Sequence, residues 1–162
     1  KDSNILEWKD AKNISWGILI LFGGGLSLAQ GIKTSGLAEW LATSILSIGD
    51  ISVIVLTIIL TTSIIFFTEI TSNLATTAAF LPIIASIGIG MGIEPMQLVV
   101  PTTVAASCAF MLPVATPPNA IIFSSDEITI KNMTKAGINL NVIFIFVVVI
   151  LSYTIGSAVF GF

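Results

Sequence analysis

Apolar residues run along this chain in long blocks, and the polar residues that interrupt them are few and clustered. Residues 14–33, ISWGILILFGGGLSLAQGIK, are apolar almost throughout. At a rise of about 1.5 Å per residue they cover about 30 Å, one bilayer core, which predicts a transmembrane helix. Asn13 stands where a helix cap is expected, and Gly23, Gly24 and Gly25 suit close packing of a second helix. Residues 36–48 are too short to span. Their apolar positions, Leu37, Trp40, Leu41, Ile45 and Ile48, recur with a helical period and predict a helix lying in the interface. Trp8 and Trp16 suit one membrane surface and Trp40 the other.

Residues 52–72 and 73–90 are two apolar arms separated by a polar tip, TEITSN. Pro82, Gly88, Gly90 and Gly92 predict a second arm whose regular helix is only about 15 residues, short for a span. Residues 96–123 carry Pro101, Pro113, Pro117 and Pro118. Adjacent prolines lack donors and restrict the residue before them. The expectation is a helix that breaks near Ala115 to Asn119 and restarts at Ala120. Residues 124–137 are a polar loop, and residues 138–160 a last span.

Composition narrows the class. The chain is 55% hydrophobic and 9% charged, with mean hydropathy +1.05; a soluble domain carries roughly a quarter charged residues. These figures describe an all-α polytopic membrane protein. With no His and the single Cys108, a disulfide framework, a Cys/His metal site and a His-dependent triad are excluded. No nucleophile–base pair suggests an enzyme. The net charge of −3 is scattered and offers nothing to nucleic acid. The opening KDSNILEWKDAKN does not read as a signal peptide; it predicts a loop entered partway through a longer chain. If 52–90 returns to its starting side, Lys1, Lys9, Lys12, Lys131 and Lys135 share one membrane face and only Lys33 lies on the other. The positive-inside rule makes that face cytoplasmic and the C-terminus external.

The polar tip and the prolines then acquire a meaning. In lipid, unwound backbone must find partners inside the protein or line a wet cavity. Two interrupted elements in one chain are how carriers build midplane sites, with freed carbonyls for a cation and helix N-termini for an anion. Ser72 and Asn73 would sit at a re-entrant turn. Asn73 and Asn119 each offer donors and an acceptor. Carbonyls near Thr68, Thr71 and Ala115 could supply the oxygen ligands that hard Na⁺ requires. The bland alternatives are hydroxyls bonded back to carbonyls or gluing helices together, the expected state of Thr76 and Thr77, and prolines that merely kink. Glu69, the only acid in 52–90, is functional by position, or else pairs with Lys or caps a helix.

The motifs TSNLATT (71–77) and SCAFMLPVATPPNAIIFSS (107–125) resemble the divalent anion/sodium symporter family of citrate, dicarboxylate and sulfate carriers. Residues 18–41 are similar to the span and arm helix that precede the family's second hairpin. The resemblance covers nearly the whole chain, and MLPVATPPNAI (111–121) is its most specific part. It implies two inverted repeats, of which this chain would be the second. The organisation would be a cytoplasmic loop (1–13), a scaffold transmembrane helix (14–35), an interfacial arm (36–50) and a re-entrant hairpin (51–93). A broken helix with its cytoplasmic loop (94–137) and a last transmembrane helix (138–162) would follow. Thr68, Thr71, Asn73 and Ala115 would hold Na⁺. Ser72, Asn73, Leu74, Thr116, Pro117 and Asn119 would border a substrate carboxylate. Na⁺ would be the coupling ion, with no other cofactor. The resemblance also implies a homodimeric elevator in the plasma membrane, completed by an N-terminal half. Leu74 departs from the family motif, which has Thr there, and removes a hydroxyl that could meet a carboxylate. The expected function is Na⁺-coupled transport of di- or tricarboxylates. The alternatives are Na⁺-independent carboxylate exchange and a non-transporting membrane assembly protein.

Overall fold

The computed structural model describes residues 16–47, 51–125 and 127–161. The expected loop at 1–13, with Trp8 and Asn13, lies outside the described residues. All regular structure among them is helical. Helix α1 (Trp16–Thr34) stops at Gly36, whose φ of 75° is open to glycine and strained for other residues, and α2 (Leu37–Ser47) follows at once. Helices therefore stand where the pattern placed them, at 14–33 and 36–48. Trp40 on α2 is exposed.

Helix α3 (Val53–Thr68) begins at Ser52, whose hydroxyl accepts from Val55 N. Its own hydroxyls fold back onto carbonyls: Thr57 to Val53, Thr62 to Ile58 and Ser63 to Ile59. That is how Ser and Thr remain satisfied in an apolar helix. The polar tip 69–72 follows, and then α4 (Asn73–Gly90).

Helix α4 corrects one expectation. It runs 18 residues without interruption through Pro82, about 27 Å, and is one of two helices among the described residues long and apolar enough to cross a membrane. Proline at 82 cannot donate to Ala78 O, four residues back. The carbonyl it leaves is the atom against which α1 sets Gly25: a Cβ at Gly25 would stand 2.5 Å from Ala78 O. Gly25 thus lets α1 pack closely over this carbonyl, and the helix continues past the proline. Of the three adjacent glycines only Gly25 makes this approach; Gly23 and Gly24 have open space around them.

The proline-rich region is a second correction. Helix α5 (Met96–Ala105) ends ten residues before the predicted break, residues 106–116 are unwound, and α6 (Pro117–Phe123) starts at the paired prolines. Pro117 and Pro118 occupy the first helical positions, where a missing N–H leaves no bond unmade and φ is already helical. They start a helix; they do not break one. The last helix is the third correction. Helix α7 (Ile130–Leu151) begins within the segment expected to be loop, capped by Thr129, whose hydroxyl accepts from Asn132 N. It continues through a π-helical turn (Ser152–Gly156) into α8 (Ser157–Phe160). Lys131 and Lys135 are therefore exposed residues of a helix.

Helix α3 lies between α5 and α7, whereas α4 packs on α1, α2 and α5. The two arms around the tip therefore pack mostly on different neighbours, yet they still meet where the rings of Phe67 and Phe80 lie edge to face, 5.1 Å apart. One core joins Ile64 and Ile65 of α3 to Ala105, Cys108, Ile145 and Val148. Another joins Leu56 to Ile84, Ile87 and Leu98. Helices α3 and α7 run antiparallel, tied near one end by Thr57 Oγ1 and Tyr153 Oη at 2.9 Å. Near the other end, Asn141 Nδ2 donates to Glu69 Oε1 at 2.8 Å. Ile143, Phe146 and Ile150 on the outer face of α7 are exposed, a face for lipid or further protein.

Candidate functional site

The hairpin tip is built by its own hydroxyls. Ser72 caps α4 by accepting from Ala75 N at 3.0 Å. Thr71 Oγ1 donates to Phe67 O at 3.0 Å and shares a 2.6 Å hydrogen bond with Thr76 Oγ1. Thr77 Oγ1 donates back to Asn73 O, the expected bland role. Thr68 is fully buried, and its hydroxyl lies 2.8 Å from Asn73 Oδ1 and 3.0 Å from Ala106 O. One hydroxyl hydrogen serves one of these acceptors at a time, so three oxygens from three stretches of chain converge around it. Ser72 and Leu74 are exposed, and Asn73 is half-buried.

Glu69 binds the tip to the unwound segment. Its carboxylate is 2% exposed yet fully engaged. Oε1 accepts from Phe110 N at 2.8 Å and Met111 N at 2.9 Å; Oε2 accepts from Met111 N and Leu112 N, both at 3.1 Å. Asn141 Nδ2 completes the set. Of the two roles foreseen for it, Glu69 is close to the capping one, but the backbone it satisfies is irregular and more than forty residues away. Carboxylates accept well from several amides at once, and in an apolar setting those amides need such an acceptor.

The carbonyls of the same stretch are held from the opposite side. Asn119, buried near the start of α6, donates both Nδ2 hydrogens, to Ala109 O at 2.9 Å and Leu112 O at 3.1 Å. That leaves its Oδ1 as the remaining polar atom. Thr134 Oγ1 approaches Met111 O at 3.4 Å. Gly137 permits this docking: a Cβ there would fall 2.3 Å from Phe110 O and 2.5 Å from Met111 Cα. Thr116 caps α6 by accepting from Asn119 N at 3.4 Å, Pro117 is exposed beside it, and Ala115 is buried with its N–H on Leu112 O.

The structure thus brings Thr68 and Asn73 together, keeps Thr71 with Thr76, and joins Thr68 to Ala106. Ala115, Thr116 and Pro117 stand at the far end of the unwound segment, linked to the tip through the stretch that Glu69 holds. Among the described residues no cluster of acidic, Cys or His side chains could hold a metal. A cation here would depend on neutral oxygens, which fits Na⁺ and not a transition metal. A recess of about 340 Å³ between α5 and the C-terminal turn is walled by Val100, Val104, Phe144, Leu151 and Phe160. Its apolar lining is unsuited to a carboxylate.

Sequence reasoning missed Asn141, Gly137 and Thr134. Asn141 did carry a signal, as an amide followed by the apolar run VIFIFVVVIL, since polar groups inside a span are costly without a partner. Gly137 carried none.

Among the described residues the structure is helical, with two interruptions joined by buried polar contacts, and with the chain's composition this defines an all-α membrane protein. The chain belongs to the family described as "Sodium:sulfate symporter transmembrane region", which it matches over residues 3–162. It is 45% identical over 161 residues to the "Sodium-dependent dicarboxylate transporter SdcS" of Staphylococcus saprophyticus. It is 46% identical over the same length to the protein of that name from Staphylococcus aureus strain MRSA252. Each alignment covers 99% of this chain and 31% of the relative, so the chain spans about a third of the length of the curated relatives it matches.

Proposed function

We propose that this chain is the C-terminal part of a secondary active transporter that couples uptake of di- or tricarboxylate anions to Na⁺ by an elevator movement. The observation that carries the reading is the convergence of the hairpin tip on an unwound helix through Thr68 and Glu69, in a chain close to proteins named sodium-dependent dicarboxylate transporters. Thr68, Thr71, Asn73 and Ala115 hold Na⁺, largely through carbonyls. Ser72, Asn73, Leu74, Thr116 and Pro117 border the carboxylate, with Asn119 contributing at most its Oδ1. Helix α4 points its N-terminus into the site and favours an anion there.

Order of binding follows from charge. Na⁺ binds first and organises tip and unwound segment; the anion then meets a cation and a helix N-terminus together. Only the loaded, neutralised domain crosses, because an unscreened dianion faces a prohibitive apolar barrier. Helices α3 and α4 form a re-entrant hairpin, α2 joins the moving domain to its scaffold, and the intact protein is a homodimer. Lys131 and Lys135 support an orientation with the start of α7 at the cytoplasmic face of the plasma membrane and the C-terminus outside.

The test is uptake of labelled succinate, citrate and sulfate into proteoliposomes containing the full-length parent, with and without an inward Na⁺ gradient. Gradient-driven accumulation names the substrate and supports the reading, and Asn73→Ala should then abolish Na⁺ stimulation. Uptake only against preloaded anion would identify an exchanger. No uptake by folded protein would make the chain part of a non-transporting assembly.

A further inference from the structure

We propose that Glu69, Asn141 and Gly137 form a positioning clamp that sets the shape of the unwound segment 106–116 and, through it, the Na⁺ affinity of the site; this rests on the function proposed above. The peptide groups between Ala109 and Leu112 are held on both sides. Their N–H groups end on Glu69, and their carbonyls are held by Asn119 and Thr134. Helix α7 supplies the base: Gly137 lies against the backbone at 110–111, and Asn141, one turn on, holds the carboxylate. Thr134, Gly137 and Asn141 share a helix face by their spacing.

None of these side chains is needed as a ligand. Their effect on a cation is indirect. The carbonyl of Ala106 and the backbone at Ala115 belong to the clamped segment, and Thr68, which reaches Ala106 O, is the chain neighbour of Glu69. Loosening the stretch at 110–112 removes the fixed spacing of neutral oxygens that Na⁺ selects by geometry. The anion is affected less, because Ser72 and Thr116 are held by their own helix caps.

The test compares Glu69→Gln, Asn141→Leu and Thr61→Val in the full-length transporter. Gln keeps the size of Glu but turns an NH₂ group toward peptide N–H groups. Thr61 is equally buried on α3, eight residues before Glu69, and its hydroxyl has no hydrogen-bond partner; it reports any general loosening of the helix pair. Glu69→Gln should raise the Na⁺ concentration for half-maximal uptake at least about tenfold. Half-saturation by anion at saturating Na⁺ should move less than about threefold. Asn141→Leu should act in the same direction and add little to Glu69→Gln in the double variant. Amide hydrogen exchange at 110–112 should accelerate at least about tenfold in Glu69→Gln and stay unchanged in Thr61→Val.

Equal shifts in Na⁺ and anion half-saturation overturn the proposal, as does a Thr61→Val effect as large as that of Glu69→Gln. If Glu69→Gln does not fold, Asn141→Leu carries the same two readouts. Absence of Na⁺-driven uptake by the unaltered protein refutes the function and this proposal together. Na⁺-driven uptake that the variants leave unaltered refutes the clamp alone.

Discussion

The chain interrupts its helices in two places, and the two interruptions are held in different ways. The hairpin tip, residues 69–72, is short and satisfies most of its needs locally: Ser72 caps Ala75 N, and Thr71 bonds to Phe67 O and Thr76. All these partners lie within five residues. The unwound segment 106–116 is longer and depends on side chains from elsewhere. Glu69 reaches it from 41 to 43 positions away, and Asn141 supports Glu69 from 72 positions away. A short break can be written in capping residues. A long one in an apolar setting requires an imported acceptor, because water is not there to replace it.

Removing the imported acceptor should have the largest effect. Glu69→Ala leaves the N–H groups of 110–112 and the Asn141 amide without their partner, and each stranded buried donor costs about 1–3 kcal/mol. The summed loss is a large fraction of a typical fold's stability. The expected outcome is failure of the full-length protein to elute as a single species from detergent gel filtration. Elution like the unaltered protein would mean that the long break is held locally after all.

Overfilling the base of the same segment comes next. Gly137→Ala drives a methyl into backbone at 110–111, which must shift, at about 1–3 kcal/mol. Melting in detergent should occur several degrees lower. Gly24→Ala, with nothing within 4 Å, should leave the melting temperature in place and shows that the effect belongs to the contact.

The short break should respond weakly. Ser72→Ala removes a cap and should cost about 1 kcal/mol, whereas Ser72→Gly should cost a few tenths. A loss as large as that from Glu69→Ala would erase the distinction between the two interruptions. Smallest in stability, Leu74→Thr at the exposed tip should leave melting unchanged. A hydrogen bond gained to a charged ligand is worth about 1.5–3 kcal/mol, enough to reorder the preference among succinate, citrate and sulfate in competition uptake. An unaltered ranking would mean that position 74 does not face the anion.

The ends of elements expose the limits of reading without coordinates. Pro82 and three following glycines implied a shortened arm, yet α4 runs on through Pro82, with Gly25 of α1 packed close against the carbonyl of Ala78. Pro117 and Pro118 implied a break at their own position. They begin α6, and the break lies upstream, in a stretch whose amides are drawn to Glu69. Lys131 and Lys135 implied loop, although a capped helix tolerates exposed lysines in its first turns. In each case local propensity was sound, and a distant partner or an adjacent cap decided the outcome.

The sequence by itself determined that this is an all-helical membrane protein with a polar tip and a proline-associated break. Apolar runs of bilayer length and hydroxyl-rich caps are local properties that need no partner to be recognised. Tertiary structure alone decided that Glu69 spends its carboxylate on the backbone of 110–112, that Asn141 supports it, and that Gly137 is the contact beneath. Those choices follow from which buried donors lack an acceptor once the helices are packed, and that deficit exists only in three dimensions.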